Sequence, residues 1–400
     1  MRACMLAYTF YESDNRVRRY AQALVKRGDQ VDAIALRRPG QKQYETVEGV
    51  HVYRLQKRER TEKGPFTYLA RLLIFLLRSA WALTLQHLRK PYDVIHVHSV
   101  PDFEVFATLI PRIMGARIIL DIHDIVPELY ASKFSISKSS IVFRLLVIVE
   151  RISIKYSNHV IIANHLWYER LVQRSAGREH CSTMLNYPDP AVFCRRARPA
   201  RTRDEFIMFY PGTLTWHQGV DLVLGAMDRL RNQAPNLKFI VFGDGSESLR
   251  ALAKEYGLED RVVIREERPV AEVAEAMADA DLGIEPKRKR SFANEAFSTK
   301  ILEFMAMGVP VLASDTHVHQ MYFKEGAVAY FESENIEDLA SKILELMQDS
   351  AKRDALRARG TTLLQKYNWS DKKTEYLGLV DQLVKDARVA RCGDRISPSS

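Results

Sequence analysis

Glu295 and Glu303 stand eight residues apart in the stretch 286–315, PKRKRSFANEAFSTKILEFMAMGVPVLASD, and by type and spacing they are the residues best suited to hold a ligand. Glu303 sits among Ile301, Leu302, Phe304, Met305 and Met307, so a helix here leaves it almost no polar face. A carboxylate in that company is costly without a partner. A capping box does not supply one, because the motif needs Ser or Thr three residues before the Glu and position 300 is Lys. A ligand hydroxyl is the better partner. The unpaired N–H groups of a helix beginning near Ser298, Thr299 and Lys300 would in turn seat a phosphate. The sequence predicts a helix over 300–307, stopped by Gly308 and Pro310, and then a buried strand carrying Val309, Val311 and Leu312.

The elements that must position this stretch read as α/β throughout. A strand at 4–9, an amphipathic helix at 16–27 ending at Gly28 and a strand at 30–36 open the chain as a βαβ unit. Strands at 93–98, 117–122 and 160–163 follow. Ligands of open α/β sheets bind at the C-terminal ends of strands, where this chain carries His98, Asp102, His123 and Asp124. His96 and His98 share one face of a strand, but no third ligand is spaced to complete a metal site, so they are expected to be core or cleft histidines. The stretch 185–206, LNYPDPAVFCRRARPARTRDEF, reads as an exposed linker. A second βαβ start follows it, with a strand at 206–210, the loop PGTLTWHQGVDL and a helix at 220–231. A strand at 237–242 then meets the glycine turn Gly243-Asp244-Gly245.

Glu295 and Glu303, followed by MAMGVPV, resemble the E-x7-E signature of the family-4 retaining glycosyltransferases, which have the GT-B fold; HSVPDFEVFA and LDIHDIVPELY are similar to bacterial members that build cell-surface polysaccharides. The resemblance implies two Rossmann-like domains whose parallel sheets face a central cleft, with a C-terminal helix crossing back to the first domain. It implies Glu303 as ribose ligand, Glu295 as contact to the donor sugar, the helix start at Ser298, Thr299 and Lys300 as diphosphate seat, and His123 as the catalytic histidine. Gly212, Thr213, Gln218 and Gly219, with Gly243, Asp244 and Gly245, take the positions of its donor loops. The chain departs from the family in two places. The Gly-Gly pair after the first strand is replaced by FYESDNRVRRY, where Asn15 and Arg16 would serve the acceptor from side chains. The Arg and Lys that hold the donor diphosphate are replaced by Thr213 and Gln218, which leaves Lys300, Arg288 or Arg290 to restore the charge. Implied domains are 1–196 on the acceptor side, 201–370 for the nucleotide-sugar donor and 371–388 as the return helix; 389–400 reads as a disordered tail.

Four hundred residues at 46% hydrophobic suffice for two domains. The cysteines Cys4, Cys181, Cys194 and Cys392 have neither disulfide nor zinc-ligand spacing, which fits a reducing cytoplasm, and the N-terminus reads as a strand without an export signal. The net charge of +9 is uneven: residues 1–200 hold 31 Lys and Arg against 18 Asp and Glu, residues 201–400 hold 28 against 32. Nucleic-acid motifs are lacking, so anionic lipid or a diphosphate-bearing substrate is the expected partner of the basic half. Residues 66–88 and 141–154 are long apolar runs broken by arginines, too interrupted to span a bilayer; a helix packed on the first sheet is favoured over one lying in the membrane interface. The expected activity is transfer of a sugar from a nucleotide-sugar to an acceptor, a polyprenyl-diphosphate-linked glycan at the inner face of the plasma membrane, with no metal and no cofactor. A GT-B nucleotide-sugar epimerase and a non-catalytic nucleotide-sugar-binding partner are the alternatives.

Overall fold

The computed structural model describes residues 1–58, 65–134, 136–196, 204–243, 245–324 and 326–393. The chain divides into two units, Met1–Leu185 with Ser370–Ser400, and Asn186–Trp369.

In unit 1 the strands are β1 (Arg2–Ala7), β2 (Gln30–Arg37), β3 (Tyr44–Val47), β4 (Val50–Lys57), β5 (Val94–His98), β6 (Arg117–Ile122), β7 (His159–Ile162) and β8 (Cys181–Thr183). They form one sheet in the order β3-β4-β2-β1-β5-β6-β7-β8, parallel except for the β3–β4 hairpin. Strands β1 and β5 are buried at every position, as expected where helices cover both faces of a parallel sheet. The helices are α1 (Asn15–Arg27), α2 (Pro65–Arg89), α3 (Leu109–Ile113), α4 (Val126–Lys133), α5 (Ile141–Tyr156) and α6 (His165–Arg174). Asp14 starts α1 by accepting from the N–H groups of Arg16 and Val17, and Gly28 ends it at φ 99°. The hairpin β3–β4 was not anticipated, although Glu48-Gly49, both at positive φ, is an acidic-Gly hairpin turn between alternating residues.

Unit 2 holds β9 (Phe206–Pro211), β10 (Leu237–Phe242), β11 (Val262–Arg265), β12 (Leu282–Glu285), β13 (Val311–Ser314) and β14 (Ala329–Phe331), all parallel in the order β11-β10-β9-β12-β13-β14. Its helices are α7 (Val220–Arg229), α8 (Ser246–Glu255), α9 (Val270–Ala278), α10 (Thr299–Met307), α11 (His317–Tyr322), α12 (Ile336–Gln348) and α13 (Ser350–Leu364). The core joins β9, β10 and β12 to α7 and α12 through side chains such as Met208, Val223, Phe239, Ile284 and Ile343. The last helix, α14 (Trp369–Gly393), belongs to unit 1 beyond its first residue: Tyr376 packs 4.4 Å from Tyr20 and meets His96 Nδ1 at 3.1 Å, and Arg27 pairs with Asp381 at 2.7 Å.

Three expectations need correction. The stretch after Leu185 is not an exposed linker from its start, because Tyr187, Pro188 and Phe193 are buried within unit 2; 197–203 lie outside the described residues. Residues 389–393 continue α14 rather than begin a tail, and 394–400 lie outside the described residues. Helix α2 is only half a core helix. Leu72, Phe75, Ser79, Leu83 and His87 form its buried stripe, while Leu73, Leu77 and Trp81 face outward and exposed.

Candidate donor site and histidine cluster

In unit 2 the ends of β9, β10 and β12 converge because glycine lets the backbone close up. A Cβ on Gly243 would lie 1.8 Å from the Gly212 carbonyl oxygen, and one on Gly219 would lie 2.0 Å from that of Pro286. No larger residue fits either position. Gly212 N donates to Phe242 O at 2.8 Å, Gly243 N to Arg265 O at 3.0 Å and Arg288 N to His217 O at 3.0 Å, which ties three loops together. Gly219 precedes α7 and Gly245 precedes α8, both in the left-handed region. Asp244, assigned to the same turn, lies outside the described residues.

Beneath these loops a buried carboxylate organises the charge. Glu285, at the end of β12, is 0% exposed; Ser298 donates its hydroxyl to Oε1 at 2.7 Å, and Lys287 and Lys300 approach at 3.5 and 3.3 Å. Burial favours protonation of Glu285, but Lys300, Lys287 and His319 outweigh it, and its carboxyl stays below the usual range. Burial likewise opposes the charge on Lys300, and Glu285 outweighs it, so the ammonium is held more firmly than usual. Its Nζ lies over the Tyr210 ring, 4.9 Å from the centroid, and would lie 3.4 Å from a Cβ on Gly212. The Tyr210 hydroxyl donates toward Thr213 O at 3.0 Å and lies 3.3 Å from Gln218 Oε1.

Helix α10 begins one residue earlier than expected, at Thr299, and no side chain caps it. Ser298, assigned to the donor, is spent on Glu285 and is 2% exposed, so its hydroxyl is not available to a ligand as it stands. The run Lys287–Arg290 also resolves into separate roles. Lys287 is buried with Glu285, Arg288 forks onto Asp221 at 2.9 and 2.6 Å while stacking on Trp216, and Lys289 pairs with Asp315. Arg290 is exposed. Of the three cations expected to replace the family's missing charge, Arg288 is thus engaged elsewhere and Lys300 borders the glycine loops. Glu295 is half-buried, just after the short turn Phe292–Asn294, and Glu303 is half-buried in the second turn of α10.

In unit 1 the corresponding carboxylate is Asp121, in β6 and 0% exposed. Arg16 reaches it from the first turn of α1 with two bonds, Nε to Oδ2 and Nη2 to Oδ1, each 2.7 Å. His98 Nδ1 and His123 Nε2 approach Oδ2 at 3.2 and 3.1 Å. Burial alone would raise the Asp121 carboxyl, but Arg16 and His123 hold it well below the usual range. An ionised carboxylate only accepts, so an imidazole nitrogen that bonds to it carries the proton; His98 Nδ1 and His123 Nε2 also lie 3.2 Å from each other, so the three groups share one network. Burial keeps His98 and His96 neutral. His123, with 22% of its side chain exposed, is the accessible member of the group.

Arg16 is 4% exposed and committed to Asp121, so it supports the imidazoles rather than presenting a free guanidinium to an acceptor. His98 is also buried, and Asp102 is 3% exposed in the 3-10 turn Asp102–Thr108, where burial pushes it up to about 7. Asn15 and Asp124 are half-buried near the surface. Contrary to expectation, His96 and His98 do have a third potential ligand in space, since their nitrogens and an Asp121 oxygen lie within 4.8 Å of one another. Sequence reading missed Asp121 and Glu285. Both are acids that follow an apolar run at or next to the C-terminal end of a strand, IIL-D and LGI-E, and the cost of an unpaired buried carboxylate that singled out Glu303 applies equally to them.

The sequence model "Glycosyl transferase 4-like domain" matches residues 13–186, and "Glycosyl transferases group 1" matches residues 195–362. One subunit of the human phosphatidylinositol N-acetylglucosaminyltransferase is 24% identical over 321 residues, covering 78% of this chain and 61% of its own length, so the chain spans less than two thirds of that relative. Sucrose-phosphate synthase from Thermosynechococcus elongatus superposes with a TM-score of 0.77 at 20% identity over 96% of this chain and 100% of that one. Anabaena HepE, solved in complex with UDP and glucose, gives 0.69 at 15% identity over 95% and 99%. At these identities the superpositions speak to fold. With the two family models covering both units in sequence, the chain belongs to the family-4 glycosyltransferases of the GT-B fold.

Proposed function

We propose that the chain transfers a sugar from a nucleoside-diphosphate donor to a lipid-linked acceptor, retaining the donor's anomeric configuration. The observation that carries this reading is the uncapped start of α10, with the Lys300 ammonium beside the Gly212 turn and Glu303 farther along the same helix. An α-helix start presents unpaired N–H groups and the positive end of its dipole to an anion. Lys300 adds a cation that Glu285 holds charged, in place of the Arg and Lys that the family carries in the Gly212 loop. Glu303 then receives the ribose hydroxyls and Glu295 the sugar.

As the bond to the leaving diphosphate breaks, negative charge grows on the phosphate oxygens, where the helix start and Lys300 stabilise it most. His123 is assigned to the transferred sugar, with Asp121 as the positioning residue that fixes its tautomer and ring plane. The UDP-bound HepE neighbour and the lipid-modifying human relative support a nucleotide-sugar donor and a lipid acceptor. The basic first half supports a polyprenyl-diphosphate-linked acceptor and a peripheral position on the cytoplasmic membrane face.

Calorimetry with UDP and GDP tests the donor site. Wild type binds one of them, and Glu303→Ala and Lys300→Met each weaken it by ~10–100-fold, the loss of one charge-assisted bond. Glu295→Ala keeps the nucleotide affinity and slows turnover, because the sugar changes between ground and transition states while the ribose does not. Unchanged affinity in Glu303→Ala refutes the ribose assignment. An isomerised nucleotide-sugar formed without acceptor identifies an epimerase instead.

A further inference from the structure

We propose that the outward faces of α2, α3 and α5 form one docking surface for an anionic lipid bilayer. Of the 21 exposed large hydrophobic residues among the described residues, 16 lie on or directly beside these three helices. On α2, Leu69, Leu73, Leu77, Trp81, Leu85 and Leu88 recur at helical spacing on the side opposite the buried stripe, with Leu77 and Trp81 70% and 69% exposed. On α5, Ile141, Leu145, Ile148 and Ile152 repeat the pattern, and Ile113 of α3 is 72% exposed. Helices α2 and α5 both pack on the 3-10 turn Asp102–Thr108, and α3 continues from that turn and packs on α2, so the three helices are gathered around one turn of unit 1. An apolar surface of this extent needs an occupant.

Charge decides which one. The three helices carry no acidic residue except Glu150, which is 1% exposed and paired with Arg174. Exposed cations flank the apolar strips: Arg78 and Arg89 on α2, Arg112 on α3, and Arg144, Arg151 and Lys155 on α5. A second copy of the chain would bring the same cations face to face, because a two-fold interface pairs a surface with itself. Anionic headgroups neutralise them while the acyl boundary takes the leucines and isoleucines. Contrary to the expectation from its arginines, helix α2 is by length and composition apolar enough to span a bilayer, but its other side is committed to unit 1, where Leu72, Phe75 and Leu83 are 0–1% exposed and His87 Nδ1 accepts from Tyr92 N at 3.1 Å. It therefore lies in the interface rather than across it.

This surface extends the membrane-side placement proposed above and rests on it only for its purpose, since lipid binding requires neither donor nor transfer. The test is co-sedimentation of the full chain with vesicles of phosphatidylcholine alone or mixed with phosphatidylglycerol. Wild type is expected to sediment with the mixed vesicles and poorly with the neutral ones, and moderate salt to release part of it. Leu77→Gln combined with Ile113→Gln and Ile148→Gln changes only exposed positions, and should lower binding by at least ~10-fold with an unchanged circular dichroism spectrum and nucleotide affinity. Arg144→Ala with Arg151→Ala should remove the preference for phosphatidylglycerol, and brominated lipid should quench wild type more than Trp81→Phe. Sedimentation of the triple variant equal to wild type overturns the proposal. So does wild type that ignores both vesicle types and forms dimers that the triple variant abolishes.

Discussion

Each unit carries a fully buried carboxylate at or next to the C-terminal end of an inner strand, Asp121 in β6 and Glu285 in β12, and surrounds it with cations and imidazole, yet the two clusters offer a ligand opposite things. In unit 1 the cation is one arginine whose fork matches both carboxylate oxygens, so charge is satisfied within the protein and the accessible group is the His123 imidazole. In unit 2 two lysines share one carboxylate as point charges, so positive charge is left over, and Lys300 reaches the glycine loops with 18% of its side chain exposed. The same buried acid is thus used in one unit to orient a proton-carrying ring and in the other to anchor a cation against desolvation. Arginine suits the first task because its geometry is fixed. Lysine suits the second because its head can turn toward a phosphate.

The largest effect that separates the two comes from neutralising each acid without changing its shape. Asp121→Asn leaves Arg16 buried without its counter-charge, and Glu285→Gln does the same to Lys287 and Lys300; each should cost ~3–5 kcal/mol in thermal or denaturant unfolding. Function should then diverge. Asp121→Asn is expected to keep nucleotide affinity and lose turnover as His123 loses its anchor, whereas Glu285→Gln, which removes the carboxylate that holds Lys300 charged against burial, should weaken nucleoside diphosphate binding. Weaker nucleotide binding in Asp121→Asn, or turnover lost in it no more than in Glu285→Gln, would break the distinction.

A smaller effect is expected from pH. Asp121 and Glu285 are held low, so the stability they contribute is present above the ordinary carboxylate range and is lost only as pH falls through their folded values. Unit 1 also carries Asp102 and Glu104 in the 3-10 turn beneath α2 and α5, and burial pushes them up to about 7 and about 8, against the lowering pull of the Ser79 hydroxyl on Glu104. These two run the other way. Between the ordinary value of 4.5 and about 8, folded Glu104 keeps a proton that the unfolded chain has lost, so stability falls as pH rises. Even a third of that displacement amounts to about 1–2 kcal/mol across the interval. The unit 1 melting temperature should therefore drop from pH 5 to pH 8 and Glu104→Gln should flatten the slope; an equal slope in the variant would assign it to other groups.

What the sequence made legible follows from how far apart the interacting residues are in the chain. The α/β alternation, the order of the parallel strands' residues and the limits of α10 rest on local periodicity, caps and glycine stops, and these were read within one or two residues. The donor stretch was equally local, since Glu295, Lys300 and Glu303 share one loop and helix. The two clusters were not. Arg16 and Asp121 are 105 positions apart, Lys300 and Glu285 are 15, and nothing in either segment names the other. Arg288 shows the converse error, because a basic run looks available for phosphate until Asp221 and Trp216 are seen beside it. Helix α2 shows a third: its two apolar faces are indistinguishable in sequence, and only the packing says which one is covered.

The smallest expected effect is no effect at all, and it bears on the cluster that most resembles a metal site. His96, His98 and Asp121 offer three ligand atoms within 4.8 Å, and burial keeps both imidazoles neutral, which suits coordination. Asp121, however, spends both oxygens on Arg16 at 2.7 Å, and a divalent ion bound at about 2 Å from either oxygen would lie against a guanidinium that is 4% exposed and has nowhere to retreat. The guanidinium occupies the cation's place. Dialysis against EDTA should therefore leave both the melting temperature and the transfer rate of wild type unchanged, and added zinc or manganese should not raise the melting temperature. Arg16→Met vacates the position while leaving the three ligands, and in that variant zinc should stabilise unit 1 measurably. Wild-type activity lost on chelation and restored by magnesium or manganese would show that arginine does not fill the site, and would remove the contrast between a closed cluster in one unit and an open one in the other.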